Sequence, residues 1–231
     1  PFAAGHVLFE GRDPFAGRRG GNSTYHRNVA VMFQDPHSSL SPRRCVRALI
    51  AEPFVIHGFR ERDLQAEVER LLALVGLPKE FAERYPHQLS GGQARRVGVA
   101  RAIALNPKLI VADEPTAGLD VSVQADILNL LLSLQQKLGL SYLIITHNLA
   151  LVRHVSDETA IMYMGRFIEQ GPTAEIFAAP AHPYTAALLA AQPKPDPDQR
   201  RTEAPLLGEV PSLLSRPSGC EFHNRCPRAQ E

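Results

Sequence analysis

Scarcity narrows this sequence first. Cysteine occurs three times in 231 residues, at Cys45, Cys220 and Cys226. That is too few for a disulfide framework in a chain this long, so a reduced, cytoplasmic setting fits. Neither sign of charge dominates: 25 lysines and arginines against 24 aspartates and glutamates leave a formal charge of +1. Nothing in that balance demands a nucleic-acid partner, and the Arg95-Arg96 and Arg200-Arg201 pairs read as solvated faces. Long apolar runs are missing too. Residues 128–134 are apolar but short, broken by Asn129 and Ser133, and well under the roughly 20 residues that a membrane helix needs. No secretory signal and no internal repeat is visible. The dipeptide Gly-Lys does not occur anywhere, and with it goes the loop G-x-x-x-x-G-K-[ST] that cradles nucleotide phosphates. The nearest imitation, residues 16–23, lacks the first glycine and the lysine, and no buried strand leads directly into it. What remains is 44% hydrophobic, enough for a substantial core.

Residues 89–120 organise the rest of the chain. Ser90 is suited to cap a helix that carries Val97, Ala100, Ile103 and Ala104 and stops before Pro107. Gly91 and Gly92 have no Cβ at the start of that helix, so a ligand can approach backbone N–H groups that point at it. That is the physics of an anion site, most naturally a phosphate. Leu109, Ile110, Val111 and Ala112 then read as a buried parallel strand that delivers Asp113 and Glu114 at its carboxyl end. A carboxylate there can hold Mg2+ directly or through water, and its neighbour can orient an attacking water.

Around this stretch strands and helices alternate. Residues 7–10 read as a strand ending in a turn, 12–27 as a mobile loop, and 28–33 as a second strand running into Gln34-Asp35-Pro36. Residues 37–60 carry turn residues and broken apolar runs. The spacing of Leu64, Val68, Leu71, Leu72 and Val75 predicts an amphipathic helix over 63–75, closed by Gly76. Asp120 is placed to cap a helix that ends at Gly139. Residues 143–146 form another buried strand ending at His147, followed by a short helix over 149–155. A hairpin about Gly165 and Arg166 follows, at or beyond the edge of the main sheet. From Gln192 onward seven prolines favour extended backbone on a surface, with little packing of its own. The alternation predicts an α/β fold with a mostly parallel sheet.

The run Leu89-Ser90-Gly91-Gly92-Gln93, the apolar strand into Asp113-Glu114-Pro115, and the Leu119-Asp120 pair resemble, in this order and spacing, the signature, Walker B and D-loop of ABC-type ATPases. The resemblance implies a P-loop NTPase-like α/β fold with an inserted helical subdomain. It implies ATP and Mg2+ as cofactors, Glu114 as catalytic base or water-orienting group, and Asp113 as the Mg2+ partner. Gln34 stands where the family has its Q-loop glutamine, and His147 where it has the histidine that contacts the γ-phosphate. Ser90, Gly91, Gly92 and Gln93 would close over ATP bound to a second subunit, and Asp120 would contact that subunit across a dimer interface. Gly118 replaces the more common alanine, and Asn148 the more common aspartate. Three further stretches resemble the oligopeptide/dipeptide importer branch: the segment from Gln34 to Arg43, His182-Pro183-Tyr184-Thr185, and the run from Gly219 to Pro227. In some members cysteines like Cys220 and Cys226 belong to an iron–sulfur site. Two thiolates where four ligands are expected make a weak metal signal, and no cluster is expected in these residues.

The function so implied is that of the energy-coupling ATPase subunit of a peptide importer, at the cytoplasmic face of the membrane. It would work with a second ATP-binding subunit and transmembrane permease subunits, and indirectly with a solute-binding protein. Residues 1–36 would supply core strands, 37–105 the helical subdomain ending in the signature helix, 106–180 the catalytic core, and 181–231 the C-terminal extension. With Pro1 in place of Met and no P-loop, the simplest expectation is a fold N-terminally incomplete, so that these residues alone fold poorly, bind ATP weakly and are inactive. The alternative is a non-catalytic partner that only donates its signature segment to a competent ATPase subunit.

Overall fold

The computed structural model describes residues 6–15, 23–60, 64–192, 209, 211–212 and 214–230. Two compact units divide the chain, Pro1–Thr146 and His147–Glu231. The first is built on a three-stranded sheet of order β1-β2-β3, with β1 at Val29–Met32, β2 at Leu109–Asp113 and β3 at Ser141–Ile145. All pairing is parallel: Val29 lies opposite Leu109 and Met32 opposite Ala112, while Leu109 faces Ser141 and Asp113 faces Ile145. Parallel neighbours need crossovers rather than hairpins. A helical subdomain fills the first crossover and α6 (Val121–Leu138) the second. As the central strand, β2 buries Ile110 and Ala112 completely. On the outer strand Leu143 and Ile145 remain about half exposed, at 53% and 52%.

The helical subdomain contains α2 (Pro36–Ser39), α3 (Val46–Ile56), α4 (Gln65–Leu74) and α5 (Gly91–Ile103), with short 3-10 turns at Lys79–Glu83 and Pro86–Gln88. The amphipathic reading of α4 holds: Leu64, Val68, Leu71, Leu72 and Val75 are buried, and Gly76 ends the helix at a φ of +70°. Ser90 and Asp120 cap as expected. The Ser90 hydroxyl accepts from the Gln93 N–H while Gln93 Oε1 accepts from the Ser90 N–H, a reciprocal capping box. Asp120 accepts from Val123 N at 3.0 Å and caps α6, which ends in a left-handed Gly139.

Besides the burial expected for residues 143–146, three secondary-structure expectations fail within this unit. Residues 7–10 form no strand; Phe9 and Arg12 make one isolated antiparallel bridge around Glu10 and Gly11, both at positive φ. The expected loop over 12–27 contains a short helix, α1 (Ser23–Asn28), while residues 16–22, with the P-loop imitation, lie outside the described residues. Residues 37–60 carry α3, whose sequence signals are poor. Cys45 gives no side-chain cap and Pro53 sits inside the helix. Burial of Val46, Leu49, Ile50, Ala51 and Phe54 outweighs those defects, since most helical stability in proteins comes from packing an apolar face.

The second unit holds α7 (Leu149–Val155), an antiparallel hairpin of β4 (Glu158–Tyr163) and β5 (Arg166–Pro172), α8 (Thr173–Ala178) and α9 (Pro183–Ala190). The tail packs more than its composition predicts. Phe222 is 1% exposed, with Tyr163, Tyr184 and His182 around its ring. The nearly buried Glu221 carboxylate pairs with Arg166 and Arg216. Of the seven prolines, 193, 195, 197 and 205 lie outside the described residues, as does the Arg200-Arg201 pair. Among the described residues no helix is long and apolar enough to cross a membrane.

Acid sensitivity follows from the start of α9. Glu169 accepts from the N–H groups of Ala181 (2.7 Å) and His182 (3.1 Å), and His182 Nδ1 accepts from Tyr184 N at 3.1 Å, which requires an unprotonated Nδ1. Desolvation pulls the His182 pKa below 6.5, with the Glu169 charge opposing. For Glu169 burial pushes upward, but the Thr185 hydroxyl, the two N–H groups and His182 bring the pKa below 4.5. Both folded values are depressed, so both contributions are complete above the unfolded pKa and are lost as pH falls through the folded value. The tyrosine near-UV signal is expected to weaken in two stages, one starting below about pH 6.5 and one below about 4.5. In His182→Asn, an amide that still caps, the upper stage should vanish and the lower remain; an unchanged profile would contradict the assignment.

Candidate functional site

The carboxyl ends of three parallel strands set the site, as expected where loops leave such a sheet. Gln34 follows β1, exposed, between the end of the strand and Asp35-Pro36. Asp113 ends β2 and Thr146 follows β3. Glu114 continues the ladder by one residue: its N–H donates to Ile145 O at 2.9 Å. Its backbone is left-handed, with φ at +45°, a conformation that costs a non-glycine residue on the order of 1–3 kcal/mol and clusters at functional positions. Hydrogen bonds from backbone and side chain hold it there. Besides the ladder bond, its carbonyl accepts from Ala117 N at 3.0 Å, and its Oε2 accepts from the Thr146 hydroxyl at 3.1 Å.

The signature segment leads into α5 and packs against the residues around Asp120. A Cβ on Gly91 would stand 3.3 Å from Leu119 Cδ2, and one on Gly92 only 2.7 Å from Val123 Cγ1. These glycines therefore serve close packing within the chain, a reason that the motif alone does not reveal. Asp120 itself is exposed, and the Ser122 hydroxyl and then the Val123 N–H hold its pKa below the usual carboxylate range. It stays charged at a helix N-terminus, where negative charge is favoured.

Arginine supplies what the motif reading missed. Arg95 is 2% exposed, not solvated. Its Nη1 donates to Phe33 O at 2.8 Å and its Nη2 to Gln34 O at 2.6 Å, with a longer contact to Ala117 O at 3.5 Å. Arg96 donates to Val75 O at 2.7 Å. The available signal was composition around the helix. Ala94, Val97, Val99, Ala100, Ala102 and Ile103 point in every direction, and a helix apolar all round is buried all round. A groove of about 340 Å3 lies beside it, lined among others by Met32, Phe33, Leu40, Pro53, Ile56 and Arg95.

The structure thus gathers Gln34, the signature helix and the segment leading to Asp120 around one guanidinium, and places Glu114 on Thr146. His147 opens the second unit, exposed, directly before Asn148, whose side chain caps α7 by accepting from Leu151 N. Cys220 (exposed) and Cys226 (half-buried) are free thiols in that unit. Among the described residues no three His, Cys, Asp or Glu side chains gather as a metal site.

Comparison with known proteins identifies the family. The ABC transporter family model matches residues 1–117, and that of the oligopeptide/dipeptide transporter C-terminal region matches residues 168–231. The solved structure of cbiO1 from Clostridium perfringens, part of an ABC transporter complex, superimposes with a TM-score of 0.68 at 30% identity, covering 77% of this chain and 69% of that one. The chain belongs to the ABC transporter ATP-binding family. A probable peptide ABC transporter ATP-binding protein of Sinorhizobium fredii is 49% identical over 229 residues, covering 98% of this chain and 64% of the relative. An oligopeptide transport ATP-binding protein of Bacillus subtilis is 45% identical over 230 residues, with coverages of 98% and 70%. A dipeptide transport ATP-binding protein of Escherichia coli is 43% identical over 225 residues, with coverages of 97% and 67%. The chain spans about two thirds of the length of these relatives.

The Gly92 contact gives a sign test. Alanine is favoured over glycine in a helix by about 1 kcal/mol, yet Val123 is β-branched, held in α6 and unable to swing away cheaply. Gly92→Ala is therefore expected to destabilise the fold by about 1–3 kcal/mol of overpacking less the propensity gain, read as a lower urea midpoint. Adding Val123→Ala should recover most of the loss. Stabilisation by Gly92→Ala alone would show that the two helices are not packed this closely.

Proposed function

We propose that the protein is the energy-coupling ATPase subunit of an importer for oligopeptides or dipeptides. The observation that carries the reading is Glu114, strained at the carboxyl end of the central parallel strand with its carboxylate bonded to Thr146. In the proposed cycle Glu114 orients the attacking water and accepts its proton, while His147 holds that water in line. Bound ATP supplies the phosphoryl group, whose transfer depends on positioning and charge neutralisation. Asp113 and Gln34 offer oxygen donors alone, a set suited to Mg2+. No Gly-Lys occurs in these 231 residues, so no phosphate cradle is derived from them.

In this reading Ser90, Gly91, Gly92 and Gln93 close over ATP on a second ATP-binding subunit, homologous or identical, and Asp120 meets that subunit across the interface. The groove beside α5 and the exposed side chains of Val55, Ile56 and Phe59 support docking of transmembrane permease subunits along residues 34–58. A solute-binding protein would deliver peptide to those permeases, and the ATPase would sit peripherally at the cytoplasmic face. Residues 1–36 and 106–180 would form the catalytic core, 37–105 the helical subdomain, and 181–231 the importer extension.

The test uses the full-length protein assembled with its permease. Glu114→Gln keeps the size and hydrogen-bonding reach of the side chain but removes the base. Turnover should fall by at least about 100-fold, with the affinity for a fluorescent ATP analogue unchanged. Retained turnover would remove Glu114 from the catalytic role.

A further inference from the structure

We propose that Arg95 is a positioning residue that locks the Gln34 segment to the signature helix and to the turn before Asp120, so that a displacement of Gln34 is passed directly to Ser90–Gln93. The inference rests on the ATPase reading above and adds to it a residue that belongs to none of the recognised motifs.

The need for such a lock comes from the backbone. β1 ends at Met32 and α2 begins at Pro36, so the carbonyls of Phe33 and Gln34 lie between a finished ladder and a helix that has not begun. Pro36 has no N–H, and it keeps Asp35 out of the helical region. Arg95 fills the gap with two donors from one planar group, to Phe33 O and Gln34 O, and reaches Ala117 O with the second. A fork of this kind fixes orientation as well as distance, which a single ammonium does not do. The guanidinium is buried, its Nε has no partner among the described residues, and Asp35 lies close enough to favour its charge. A charge held in such surroundings depends on those carbonyl dipoles, and loss of the carbonyls would leave it uncompensated.

The functional consequence lies in what the three segments serve. Gln34 and Asp113 face the nucleotide of their own subunit, whereas Ser90 to Gln93, two to five residues before Arg95, serve the nucleotide of the other. Gly91 and Gly92 already pack on Leu119 and Val123. Arg95 adds the connection to Gln34, so a shift at one nucleotide is carried through one side chain to the segment that closes over the other.

The experiment compares Arg95→Gln and Arg95→Lys with wild type in the full-length protein assembled with its permease. Amide exchange is read at Ala117 and Leu119, whose N–H groups donate to Glu114 O and Thr116 O. In Arg95→Gln it should rise about 10-fold at these positions while residues 97–103 stay protected, a local opening rather than global unfolding. ATPase kcat should fall about 10-fold with KM within about 2-fold, and Arg95→Lys should recover part of both effects. Adding Gln34→Ala should cost much less in the Arg95→Gln background than in wild type, because Gln34 has already lost its position. Additive losses, or unchanged exchange at 117 and 119, would overturn the proposal. So would altered exchange with normal kcat. If Arg95→Gln does not fold, Arg95→Lys is read by the same criteria. A wild-type assembly without ATPase activity would instead reject the ATPase reading, and the exchange comparison would still decide whether Arg95 braces the turn.

Discussion

Parallel pairing of β2 with both neighbours is the constraint from which the other features follow. A strand at the centre of a parallel sheet is covered on both faces and cannot be joined to its neighbours by tight turns. The chain meets that demand with two crossovers, the helical subdomain between β1 and β2, and α6 between β2 and β3. Register then decides the rest. Met32, Ala112 and Ile144 lie side by side, so the segments that carry Gln34, Glu114 and Thr146 leave the sheet along one edge. The candidate site residues gather there because topology brings these loops out at the same end of the sheet.

Helix α5 is the second organising element, and it works through arginine. It is buried on nearly every side, which ordinarily excludes charge, yet it carries Arg95, Arg96 and Arg101. Each guanidinium ties down backbone carbonyls of another segment: Phe33 and Gln34 for Arg95, Val75 for Arg96, and Ser39 for Arg101, which also pairs with Glu52. Hydrogen bonds from charged donors contribute roughly 1.5–3 kcal/mol each. The irregular connections of the helical subdomain are thereby fixed to one rigid rod. Its N-terminus is the Ser90–Gln93 segment, so the rod that holds the loops also carries the residues proposed to close over the ATP of a second subunit.

Much of this was legible in the sequence, and the reasons are local. A capping box at Ser90, a cap at Asp120, left-handed glycines at Gly76 and Gly139, and the apolar run of β2 each depend on neighbours a few residues away. What escaped depends on distant partners. Helix α3, with Pro53 inside and no cap, forms because five of its residues find a core contributed by α4 and α5. Phe222 is buried because Tyr163, Tyr184 and His182 surround it, although its own neighbours are polar. Arg95 looked like half of a surface pair because charge is read as exposure until the carbonyls that need it are known. Within the site, the positions of Gln34, Asp113 and Glu114 at strand ends were visible from pattern. The bonds that hold them were not.

Glu114 shows how such bonds bear on function. Left-handed backbone outside helices is the natural place for glycine or asparagine, and a glutamate there works against its own side chain. Were the position only a turn, a residue without that penalty would serve the ladder bond to Ile145 and the turn bond to Ala117 equally well, since both use backbone atoms alone. The bond from the Thr146 hydroxyl needs the carboxylate. It spans two adjacent strand ends and fixes where that carboxylate sits. A smaller residue would serve both backbone bonds; what the strained glutamate adds is a carboxylate held at a defined place beside Asp113, at the end of the most buried strand in the unit.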